Sequence, residues 1–78
     1  MSTMDTPTTA PLDLANSAGL RIRDLRTKLG YSQEEIADRA SIHVLTLSNI
    51  ERGTSDPRLG TVQRIAQALE LPTAALLP

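Results

Sequence analysis

The sequence predicts an all-α fold of about five short helices, on three observations. Apolar residues recur at helical spacing in successive segments: Ile22, Leu25 and Leu29; Ile36, Ala37 and Ala40; Leu47 and Ile50; Leu59, Val62, Ile65, Ala66 and Leu69. Helix-stopping residues punctuate them, at Gly30, over residues 41–43, at Gly53 through Pro57, and at Pro72. The third observation is compositional: one Tyr and no Phe or Trp leave a core of Leu, Ile, Val and Ala, which suits short helices packed closely. No strand is expected.

Residues 1–16 are rich in Thr and Pro and lack a helical period. Pro7 and Pro11 have no amide donor and bias their predecessors toward extended backbone. They are expected to form a disordered arm, with the folded domain over residues 17–78. The first helix is expected from Asn16 or Ser17, either a possible cap, to Leu29, with Ala18 on its apolar side and Gly30 stopping it. Arg21, Arg23, Arg26 and Lys28 make it the most basic segment, and a solvated face is the simplest reading of Arg21 and Lys28.

Residues 32–53, SQEEIADRASIHVLTLSNIERG, organise the rest. They open with a capping box, in which the Ser32 hydroxyl and Glu35 carboxylate satisfy exposed backbone donors. A polar break over residues 41–43 leads to a second helix that Gly53 is placed to end. Two helices crossing steeply over a turn of roughly 3–4 residues need a small side chain at the crossing, and Ala37 supplies it. This is a helix-turn-helix pattern, and it points to DNA. Beyond it, Pro57 suits a first helical position with Asp56 as its cap. That helix is expected to run to Leu69, with Leu59 inward and Gly60 costing about 1 kcal/mol against alanine. Residues 73–77 are expected to form one more short helical turn.

Composition narrows the function. At 78 residues a single domain is expected. There is no Cys, which excludes disulfides and thiolate metal sites. One His and no acidic cluster leave no plausible metal cage, and nothing calls for a cofactor. No nucleophile–base or carboxylate pair suggests an enzyme. No apolar run approaches the ~20 residues of a membrane span. The N-terminus lacks the basic and apolar regions of a secretory signal, so a cytoplasmic protein is expected. The formal charge of −1 is a weak argument against nucleic acid, but it is unevenly spread. Asp5 and Asp13 lie in the first 20 residues, which leaves eight basic and seven acidic side chains in the remainder. Arms that enter a minor groove do so with Arg or Lys, and the N-terminal segment has neither.

The residues resemble the Cro/cI-type helix-turn-helix family of phage repressors and bacterial regulators. The matching frame is Ile22-Arg23, Arg26, then Gly30, Ser32-Gln33-Glu34-Glu35-Ile36-Ala37. It continues through Leu47-Ser48, Glu51, Gly53, Pro57, Leu59, Thr61-Val62, Ile65-Ala66 and Ala68-Leu69. The resemblance spans residues 18–77 and implies a lambda-repressor-like DNA-binding domain whose second motif helix, residues 44–52, lies in the major groove. It implies base contacts from Val44, Leu45, Ser48 and Asn49. Thymine methyl groups suit the first two, and adenine N6 and N7 suit the amide of Asn49. Phosphate or mixed contacts are implied for Gln33, His43, Thr46, Arg52, Thr54 and Ser55, and Arg58 is a further candidate. Arg26 and Glu51 fall where the family often forms an internal ion pair. Three features depart from the family: Ser41 stands where the motif turn usually has Gly, Glu70 where Gly often closes the fourth helix, and the Val44–Leu45 pair brings no donors to the groove. A positive φ at Ser41 would cost roughly 1–2 kcal/mol.

The expected function is therefore a sequence-specific transcriptional regulator, such as a repressor, bound to double-stranded DNA in a bacterial or phage setting. A homodimer on a palindromic operator is expected, with Leu71, Ala74, Leu76 and Leu77 as candidate contacts. The alternatives are a protein-binding adaptor of the same fold, similar to bridging factors, and an autoregulating antitoxin.

Overall fold

The computed structural model describes the backbone of residues 14–77 and the side-chain surroundings of residues 18–77. Four α-helices are present among the described residues: α1 (Leu14–Lys28), α2 (Gln33–Ala40), α3 (Val44–Arg52) and α4 (Leu59–Leu69), followed by a 3-10 helix (Thr73–Leu76). No strand occurs among the described residues. The all-α expectation holds, and the fifth element is the anticipated short turn of helix.

All four α-helices end by one device. Gly30, Ser41, Gly53 and Glu70 take left-handed backbone with φ of 85°, 58°, 78° and 61°. In each case the next amide reaches back five residues: Tyr31 to the Arg26 carbonyl, Ile42 to Ala37, Thr54 to Asn49 and Leu71 to Ala66, all at 2.9–3.0 Å. This double closure satisfies carbonyls that the last turn leaves free. It also turns the following side chain inward, and Tyr31, Ile42 and Leu71 pack against the core. The sequence thus fixes both where each helix stops and how the chain leaves it.

Ser41 and Glu70 take the left-handed conformation without the freedom of glycine. Ser41→Gly and Glu70→Gly are each expected to stabilise the domain by about 0.5–1 kcal/mol, after the greater unfolded-state entropy of glycine is discounted. The two sites lie at the ends of different helices and their effects should add. Thermal unfolding of the double variant checks this, and a melting temperature at or below wild type would refute it.

The core is built on Ile22, Ile36, Leu47, Ile50, Ile65 and Leu76, all fully buried, joined by Val62 and Leu69, with Ala18, Ala37, Ala40, Ala66 and Ala68 between them. α1 packs on α3, and α2 packs on both α3 and α4. The 3-10 helix closes over α4 and α1, where Arg21 Nε donates to the Leu77 carbonyl at 3.3 Å. Small residues set the spacing. Gly19 is the extreme case, because a Cβ there would overlap the Ile50 carbonyl oxygen. Backbone meets backbone at the α1–α3 crossing.

Several expectations need correction. α1 begins at Leu14, so Asn16 and Ser17 lie within its first turns and not at a cap. Residues 14–17 hold no Pro or Gly to stop the helix from extending toward the N-terminus. The remainder of the expected disordered arm, residues 1–13, lies outside the described residues. α4 starts at Leu59 with Arg58 in the cap position, two residues later than the Asp56-Pro57 reading. The later start moves Gly60 from a helix interior to its second residue. Leu59 is exposed and not inward, because side chains tilt toward the helix N-terminus and a first-position residue overhangs the end. Leu29 is also exposed, having left α1 for the turn that Gly30 completes. Leu76 is fully buried and so is not free to face a second copy, while Leu71 is half-buried against the core. Of the four candidate dimer residues, Ala74 and Leu77 remain exposed.

Candidate nucleic-acid interface

α3 is anchored on one side by Leu47 and Ile50, and its opposite face is open. Leu45 is 65% exposed and Val44 40%. Thr46 and Arg52 are exposed, while Ser48 and Asn49 are half-buried beside them. At about 100° per residue, Val44, Leu45, Ser48, Asn49 and Arg52 form one continuous outer stripe. His43 holds the N-cap position with extended backbone and makes no side-chain cap, so the first amides of α3 have no such partner. α2 is capped in full: Glu35 N–H donates to Ser32 Oγ at 3.0 Å and Ser32 N–H to Glu35 Oε1 at 2.8 Å. The Ser32 amide holds the Glu35 carboxyl below its ordinary pKa.

Beside the stripe lies a cleft of about 310 Å³ lined by Arg23, Arg26, Gln33, Ser48, Glu51 and Arg52. Its floor is the Arg26–Glu51 pair. Arg26 Nε donates to Glu51 Oε2 at 2.7 Å and Nη2 to Oε1 at 2.9 Å. Arg26 Nη1 donates to the Tyr31 carbonyl at 2.8 Å, and Gln33 Nε2 adds a second donor to Glu51 Oε1 at 3.0 Å. Arg26 is 9% exposed and Glu51 4%, so the two charges are matched away from water. The hydrogen bond that Arg26 donates to Glu51 raises the Arg26 pKa. Because this pair cancels, the cleft's free charge comes from Arg23 and Arg52, both exposed. Two guanidinium groups, an amide and a hydroxyl around one opening are the donor set an anion needs.

Most of the sequence-selected residues therefore border one face. Gln33, Ser48 and Arg52 meet at the cleft, and Val44, Leu45, Thr46 and Asn49 lie along α3. Thr54, Ser55 and Arg58 lie in the segment that leads from α3 to α4, with Thr54 and Arg58 exposed and Ser55 half-buried. Arg23 was missed as a site residue. The signal was available in its position three residues before Arg26, which puts both on one side of α1.

Asn49 differs from expectation in its local geometry. Its Oδ1 accepts from Arg52 Nη2 at 2.6 Å, with Thr54 Oγ1 at 3.5 Å. The oxygen that bidentate adenine contact would use is thus already engaged.

The helix-turn-helix family pattern (HTH_3) matches residues 22–76. This chain belongs to that family. Over 57 residues it is 37% identical to the cryptic phage CTXphi transcriptional repressor RstR of Vibrio cholerae, a match covering 73% of this chain and 51% of that protein. Over 61 residues it is 36% identical to the HTH-type transcriptional regulator ImmR of Bacillus subtilis, covering 78% and 48%. The chain thus spans about half the length of these curated relatives. Among solved structures, the restriction-modification controller protein C.AhdI from Aeromonas hydrophila superposes with a TM-score of 0.78 at 30% identity, covering 81% of this chain and 96% of that one. The hypothetical transcription factor NHTF from Neisseria superposes with a TM-score of 0.80 at 26% identity, covering 100% and 87%. The HTH_3 chain has no helix, among its described residues, long and apolar enough to cross a membrane.

Proposed function

We propose that this chain is the DNA-binding unit of a sequence-specific transcriptional regulator, acting without catalysis by occupying an operator in a bacterial cytoplasm. The observation that carries the reading is the outer face of α3. A short helix held rigidly by Leu47 and Ile50 leaves Val44 and Leu45 exposed where the core has no use for them. An α-helix with such a face fits a major groove. Val44 and Leu45 meet thymine methyl groups, and Ser48 and Asn49 meet polar base edges. Gln33, His43, Thr46, Arg52, Thr54, Ser55 and Arg58 contact phosphates at the rim, and Arg23 joins them through the cleft. The open amides at the start of α3 favour a phosphate beside His43. The names of RstR and ImmR, a repressor and a regulator, support the reading.

A dimer on a palindrome would place two such helices about 34–36 Å apart. Ala74 and Leu77 are the exposed C-terminal residues that could meet a second copy. A protein-binding adaptor is the second reading, favoured by the donor-free Val44–Leu45 surface and the formal charge of −1.

Selection of binders from a random pool of duplex DNA, followed by salt titration, separates the two. Wild type should enrich a palindrome and lose on the order of 10³-fold in affinity between about 50 and 200 mM salt. Asn49→Ala should abolish the preference at one base pair of each half-site. Weak, unselective binding that ignores both salt and Asn49 would favour the adaptor.

A further inference from the structure

The engagement of Asn49 by Arg52 has a consequence for the base it reads. A guanidinium only donates, so the amide oxygen of Asn49 must face Arg52 and the amide nitrogen must face away. The 2.6 Å contact between Arg52 Nη2 and Oδ1 therefore fixes which way the amide points. Thr54 reinforces this arrangement. Its Oγ1 lies 3.1 Å from the Asn49 carbonyl and 3.5 Å from Oδ1. The Thr54 amide donates to the same Asn49 carbonyl at 3.0 Å, within the turn that ends α3 at Gly53. The arrangement is built from the helix and its own terminus, and it needs no DNA to form. Among the described residues, Nδ2 donates to no partner.

We infer that Asn49, with its oxygen capped by Arg52, is a donor-only reader that selects guanine, and that Arg52 is the positioning residue that makes it so. The inference rests on the reading that α3 lies in the major groove. There guanine offers two adjacent acceptors, N7 and O6, whereas adenine offers N7 beside the N6 donor. An amide with a free oxygen pairs with both adenine groups. With its oxygen occupied it satisfies only N7 and leaves the adenine N6 donor unmatched. Cytosine presents a donor and is rejected. Thymine presents the single acceptor O4 and is second to guanine.

The test is base identity, which a merely structural role for Arg52 would leave alone. Wild type, Asn49→Ala and Arg52→Ala are taken through the same selection from random duplex DNA. The informative position is the one whose preference Asn49→Ala abolishes. It should be guanine for wild type and should turn toward adenine in Arg52→Ala, because the freed Oδ1 can then accept from N6. Replacing that guanine with 7-deazaguanine should weaken wild type by about tenfold and leave Asn49→Ala unaffected. Both side chains lie on the outer face of α3, and circular dichroism will establish that the variants fold. Adenine at that position in wild type overturns the assignment, as does an identical preference in Arg52→Ala. Indifference to 7-deazaguanine does the same. A wild type that enriches no sequence at all instead defeats the major-groove reading on which the assignment stands.

Discussion

Gly19→Ala is expected to destabilise the domain by about 2–4 kcal/mol, through the addition of one methyl group to a helix. In a domain of this size that lowers the melting temperature by roughly 10–30 °C. Intrinsic propensity argues the other way, since alanine favours a helix interior by about 1 kcal/mol over glycine. Packing decides the sign. The new Cβ would overlap the Ile50 carbonyl oxygen, a backbone atom within α3 that no rotamer change can move aside. α1 and α3 would have to separate along their crossing, opening the layer that holds Ile22 and Ile50. Gly60→Ala is the matched control. Nothing lies within 4 Å of the Cβ it would add, so the same substitution there should be neutral or stabilising. Thermal melts of the two variants side by side check the argument. Equal shifts would mean that the α1–α3 approach is looser than the structure has it.

Gly19 also shows where sequence reading stopped. Its neighbour Ala18 falls on the apolar stripe of α1 and was legible by period, but a glycine inside a helix carries no mark of what lies opposite it. That information belongs to a pair of helices, and only the crossing reveals it. What was local was legible. Ser32 and Glu35 form the box their spacing implied, and Ser41 and Glu70 stand in left-handed backbone at the two positions where glycine was missed. The core face of α4 followed its period at Val62, Ile65, Ala66 and Leu69 and failed at Leu59, where the period is right but the helix has only begun. The C-terminal apolar residues were ambiguous because burial within one chain and burial between two chains leave the same pattern. Leu76 resolves to the first.

The candidate site divides in the same way. Which residues line α3 followed from its period and from the family resemblance. What each side chain is already bonded to did not. Asn49 and Arg52 are three apart on one helix, a spacing at which side chains meet. Treating them as separate contacts, one for a base and one for phosphate, hid the hydrogen bond between them.

Glu51→Ala is expected to cost about 3–5 kcal/mol, the largest loss from any single charged residue here. The substitution leaves Arg26, at 9% exposure, with the Tyr31 carbonyl as its remaining partner. It also takes from Gln33 Nε2 the acceptor it bonds at 3.0 Å. A stranded lysine could shed its proton, but an arginine cannot. The charge must therefore stay buried without a counter-charge or drag the start of α2 open to reach water. Arg26→Met combined with Glu51→Leu should recover most of the loss, because removing both charges leaves an apolar contact of similar volume. Denaturant unfolding of Arg26→Met, Glu51→Leu and the double variant closes a thermodynamic cycle. A double variant no more stable than Glu51→Ala would mean that the pair's geometry, and not its charge balance, holds α1 to α3. DNA affinity should not follow stability. With Glu51 gone, Gln33 loses the bond that aims its amide, and the cleft loses the polar floor beneath Arg23 and Arg52. A refolded double variant should therefore bind DNA more weakly than wild type while melting nearly as high. That separation would distinguish a pair kept for positioning from one kept for stability.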